Sequence, residues 1–96
     1  MLIGGSLDKY VAETIALQAL AFMVADEDVL SEFVAQTGVT ADDLRRGSRS
    51  SEFLAGVLDF LLAQEELVLA FCEEKDFKPD EPQRARATLQ PASLIM

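Results

Sequence analysis

The chain overlays on itself at an offset of 38 residues. Laying Phe22 to Arg46 over Phe60 to Arg84 pairs Phe22 with Phe60, Ala25 with Ala63, Glu27 with Glu65, Phe33 with Phe71, Asp42 with Asp80 and Arg46 with Arg84. Most other pairs, such as Val29 with Leu67 and Asp43 with Glu81, keep their polarity. Self-similarity at such a period marks supersecondary units that bury their apolar faces only by stacking on one another. The expected fold is all-α, a compact bundle of five to six helices arranged as two pseudo-repeated three-helix units.

Composition agrees with that class. Three prolines and five glycines are too few for a strand-and-turn protein, and half of the 96 residues are apolar, enough for one core in one small domain. The domain is expected over residues 7–90, in halves of about 7–47 and 48–90, with a mobile lead at 1–6 and an apolar tail at 91–96.

Local signals place the helices. Ser6 is the expected cap of the first, which runs to about Ala25 with an apolar face through Leu7, Val11, Ile15, Leu20, Phe22 and Val24. That face widens after Ile15, so its second half is expected to be covered on several sides. Asp26 caps a second helix, whose stripe is Val29, Leu30, Phe33 and Val34 and whose stop is Gly38. Thr40 and Asp43 have capping-box spacing before a short third helix ending at Gly47. Ser48, Ser50 and Ser51 form the hinge into a fourth helix, to about Ala63, carrying Phe53, Leu54, Val57, Leu58, Leu61 and Leu62. Glu65 and Glu66 open a fifth, Asp76 stands where Gly38 stands in the first half, and Pro82 suits the first turn of a sixth. Helices one and four, the most apolar, are expected to pack on each other with the others outside.

Charge and residue usage narrow the partners. A net charge of -9, from 17 acidic and 8 basic side chains, argues against nucleic acid or an anionic membrane surface. The apolar run from Ile15 to Ala25 is too short to span a bilayer and reads as a buried helix. Histidine is absent, which removes the usual general base and the commonest zinc ligand. The single cysteine, Cys72, ends the run Leu-Val-Leu-Ala-Phe-Cys and reads as a small buried hydrophobe. Together these point to a reducing cytoplasm, with no cofactor and no metal.

Four features remain as candidate sites. Asp59 is the one charge between Glu52 and Glu65, read as a polar edge position paired with an arginine from a neighbouring helix, or else as a half-buried general base. Gly56, beside Ala55, makes a small-residue patch suited to close packing within the chain or to a dimer seam. Arg45, Arg46, Arg49, Arg84 and Arg86 fall at corresponding points of the repeat, where they neutralise helix ends and pair with Asp42, Asp43, Asp80 or Glu81, or else form one basic patch. The apolar tail residues Leu94, Ile95 and Met96 are the fourth.

The run Phe-Leu-Ala-Gly-Val-Leu-Asp-Phe at Phe53 to Phe60, followed by Leu-Leu and an acidic helix start, resembles a domain-of-unknown-function family of small all-helical alphaproteobacterial proteins. The resemblance covers Ala12 through Arg86 and includes Thr-Gly-Val at Thr37 to Val39, while Phe77 to Gln83, with Pro82, departs from the pattern. It implies a bacterial cytosolic setting and a helical fold, and no activity. The function expected is a non-enzymatic protein–protein interaction module whose partner is an unknown protein or a second copy. The alternatives are a nucleic-acid or phosphate-ligand binder using the arginines and, last, an enzyme using Asp59.

Overall fold

The computed structural model describes residues 8–47 and 51–89, which form six helices and, among those residues, no strand. Five of the six start or stop on a local signal. Helix α1, Lys9–Val24, is capped by Asp8, whose carboxylate accepts from the Tyr10 amide at 2.8 Å. The cap is therefore two residues later than the expected Ser6, which lies outside the described residues. Helix α2, Glu27–Thr37, begins where Asp26 Oδ1 accepts from the amides of Asp28 and Val29, and ends at Gly38 with φ +76°. An L side chain is strained there, and glycine is not.

Helix α3, Ala41–Gly47, opens with a reciprocal capping box: the Asp43 amide donates to Thr40 Oγ1 at 3.1 Å and the Thr40 amide donates to Asp43 Oδ2 at 3.0 Å. Helix α4, Ser51–Leu62, starts with Ser51 Oγ donating to Glu13 Oε2 of α1 at 3.3 Å. Helix α5, Glu65–Lys75, ends at Asp76 with φ +64°, the left-handed stop expected of that residue. Helix α6, Glu81–Thr88, carries Pro82 in its first turn, and the Lys78 amide donates to Glu81 Oε1 at 2.8 Å.

The core is one cluster fed by α1, α2, α4, α5 and α6. Helices α1 and α4 pack together, α2 lies against α1, and α5 against α4. Two edge-to-face ring pairs tie these layers, Phe22 to Phe71 at 5.5 Å and Phe33 to Phe60 at 5.2 Å. Of the expected stripe on α2, Phe33 is buried, and Val29, Leu30 and Val34 are half-buried.

Two expectations about the layers need correction. Helix α6 is not an outer element: it is the most extensive neighbour of α1 and also packs on α4, burying Pro82, Ala85 and Leu89. Its counterparts in α3 and the residues after it, at the 38-residue offset, are Leu44, Gly47 and Ser51, of which only the first is a large apolar side chain. A helix without an apolar stripe gains nothing from lying across the bundle. The second correction concerns α1, whose later half is not covered on several sides.

Candidate interaction surface

Helix α1 buries three alanines with two larger side chains and leaves four large ones outside. Ala12, Ile15, Ala16, Ala19 and Met23 are buried, with Leu20 and Phe22 half-buried beside them. On the other side Tyr10 is 77 % exposed, and Val11, Leu17 and Val24 are exposed by 44, 41 and 48 %. These are four of the five large hydrophobic side chains that stand exposed among the described residues. Thr14, Gln18, Ala21 and Ala25, which lie between them, are exposed as well. After Glu13 the helix carries no charge at all. Elsewhere the surface is acidic: α2 exposes Glu27, Asp28 and Glu32, and α5 exposes Glu65, Glu66, Glu73 and Glu74. A contiguous uncharged apolar face on so acidic a chain is the surface feature that needs a reason, since single exposed hydrophobics do not.

The fifth exposed hydrophobe, Leu69, borders a shallow groove with Leu62, Glu65, Val68, Pro79 and Gln83, where the end of α4 meets α5 and the entry to α6. Its one charged lining residue is Glu65, so it offers no convergent set of polar groups.

The arginines face carboxylates. Arg46 reaches Asp42 at 2.9 Å and Arg84 reaches Asp80 at 3.3 Å, each one turn along its own helix. Arg86 is the better placed, with its Nε donating to Asp59 Oδ1 at 2.6 Å and its NH2 group donating to Asp59 Oδ2 at 3.2 Å, a bidentate fork across 27 residues of sequence. Asp59 is thus the polar edge residue of the first reading and not a half-buried carboxylate: its side chain is 58 % exposed. The pairings at Arg46 and Arg84 are those expected with Asp42 and Asp80. Arg49, Leu94, Ile95 and Met96, and the Arg45 side chain, lie outside the described residues.

Cys72 is buried, and its thiol donates to the Lys78 carbonyl at 3.5 Å. Burial, with Glu81 and Asp80 adding to it, pushes its pKa up, so the thiol is held protonated and unreactive.

Gly56 is half-buried, and a Cβ added there would meet nothing within 4 Å. Close packing within the chain therefore does not account for it. Gly56→Ala is expected to raise stability by about 0.5–1 kcal/mol through helix propensity, read by urea denaturation. A loss of stability would mean that a neighbour does press on this backbone.

Among the described residues no helix is long and apolar enough to cross a membrane. No curated protein and no solved structure matches the chain. A family model does match, over residues 9–92, which takes in all six helices and so nearly everything described above. The chain belongs to that family, a protein of unknown function (DUF3572).

Proposed function

We propose that the protein is a non-enzymatic protein–protein interaction module of a bacterial cytosol, and that α1 presents its contact surface. The observation that carries this reading is the uncharged outer face of α1, with Tyr10, Val11, Leu17 and Val24 in water on a chain of charge -9. Burying the apolar part of such a face is favourable by roughly 25 cal/mol per Å². The arginine-based alternative loses support because Arg46, Arg84 and Arg86 each have a carboxylate partner. An enzyme working through Asp59 loses its motive, because that carboxylate is exposed and forked by Arg86.

The halves are read as an internal duplication. Support comes from features recurring at an offset of 38: the caps Thr40 with Asp43 and Lys78 with Glu81, and the ion pairs Asp42 with Arg46 and Asp80 with Arg84. The ring pairs Phe22 with Phe71 and Phe60 with Phe33 exchange with each other under the same shift.

A photo-crosslinking side chain at Leu17, compared with one at exposed Glu73 on α5, tests the contact surface in cells. The expected result is a discrete protein adduct from position 17 and none from position 73. Equal labelling from both, or none from 17, would end the assignment to α1.

A further inference from the structure

We infer that the outer face of α1 pairs with the same face of a second copy, antiparallel, in a weak and concentration-dependent homodimer. This inference rests on the reading of α1 as a contact surface and names its occupant. The exposed residues Tyr10, Thr14, Leu17, Ala21 and Val24 are spaced by four, three, four and three, the stagger of a two-helix seam. Within that seam large and small alternate: Tyr10, Leu17 and Val24 are the knobs, and Thr14 and Ala21 are the gaps. A parallel pair would set knob against knob and gap against gap. An antiparallel pair that sets Tyr10 over Ala21 of the other copy and Leu17 over Thr14 makes four layers that each join one large and one small side chain, with Val24 beyond them.

Charge selects the same orientation. Lys9, the one basic residue of α1, stands at its N-terminal end, whereas Asp26, Glu27 and Asp28 follow its C-terminal end. Antiparallel pairing keeps the acidic turns of the two copies at opposite ends of the seam and sets opposite helix-dipole ends together; parallel pairing sets Asp26, Glu27 and Asp28 of one copy against the same residues of the other. The arrangement is isologous and closes on itself, so it yields a dimer and no larger array.

Size sets the strength. The 16 residues of α1 make a rod of about 24 Å, and one side of it buries on the order of 500 Å² per copy, less than the roughly 800 Å² per partner of a standard stable interface. The net charge of each copy opposes association further.

The test is sedimentation of the full chain over a dilution series, together with cysteine pairing. The wild type is expected to shift from 10.5 kDa at low micromolar concentration toward about twice that near millimolar. Tyr10→Glu and Leu17→Glu are each expected to weaken the dimer at least tenfold, with an unchanged helical circular dichroism spectrum. Under mild oxidation, Tyr10→Cys mixed with Ala21→Cys should give a disulfide dimer, while Tyr10→Cys alone should not, because its two copies lie about 16 Å apart along the antiparallel axis. Buried Cys72 does not compete. A wild type that stays monomeric at millimolar concentration would overturn the homodimer, and if Leu17 still crosslinks a different protein, the interaction-module reading survives that loss. Crosslinking of Tyr10→Cys to itself, or a dimer indifferent to both glutamates, would overturn the seam.

Discussion

Phe71→Ala is expected to remove about 3–5 kcal/mol of folding free energy, a large part of the ~5–15 kcal/mol that holds a domain together. The ring is fully buried and has two aromatic neighbours, Phe22 of α1 at 5.5 Å and Phe77 at 5.4 Å. It therefore joins α5 to α1 and to the segment that leads into α6. Truncation deletes its apolar burial and leaves a cavity among elements that other contacts hold in place, so collapse into the space is incomplete. Phe33→Ala should cost a similar amount, since that ring is 1 % exposed and sits against Phe60 at 5.2 Å and Phe53 at 6.2 Å. Leu69→Ala, at a side chain 52 % exposed, should change stability by under about 0.5 kcal/mol. Urea unfolding followed by circular dichroism reads all three. A loss below about 1 kcal/mol at Phe71 would mean that α5 closes over the gap.

The local rules were legible because their causes are local. Asp26 and Gly38 bound α2 as expected, Thr40 and Asp43 open α3, Asp76 ends α5, and Pro82 sits in the first turn of α6. Each depends on a side chain meeting a backbone group within four residues, or on the backbone angle or missing amide hydrogen of a single residue, and sequence controls both directly. Asp59 belongs partly to this class. Its polar edge position follows from helical projection, but the identity of Arg86 as its partner depends on where α6 lies.

What sequence could not reveal was which way α1 faces. Periodicity separates inside from outside only when one side is polar, and α1 after Glu13 is uncharged on every side. A stripe chosen by side-chain size picks Val11 and Val24, which are exposed, over Ala12, Ala16 and Ala19, which are buried. The deciding factor is the neighbour: a helix packed on α4 and α6 buries Ala12, Ala16 and Ala19 together with Ile15 and Met23, and Tyr10, Val11, Leu17 and Val24 are left outside. The outer face of α1, hidden from a reading that placed Val11 and Val24 on the apolar face and covered the second half on several sides, is the surface from which both the interaction reading and the dimer follow.

The same packing makes Ala85→Leu a destabilising change, although it adds apolar surface and leaves helix propensity nearly unaltered. Helix α6 has eight residues and is too short to persist alone, so it exists because Pro82, Ala85 and Leu89 are buried against α1 and α4. Ala85 is fully buried, as are Ala12, Ala16 and Ala19 on the inner side of α1, and small residues on both helices let their backbones approach closely. Three added carbon atoms have no space there and must lift α6 from its seat. The expected cost is about 1–3 kcal/mol by denaturation, with faster hydrogen exchange in α6 than in α4. Lifting α6 also pulls Arg86 from Asp59, whose fork holds only while the two helices stay in register. An Ala85→Leu protein as stable as the wild type would show that α6 has room to spare, and that burial in the α1–α6 contact does not come from close backbone approach.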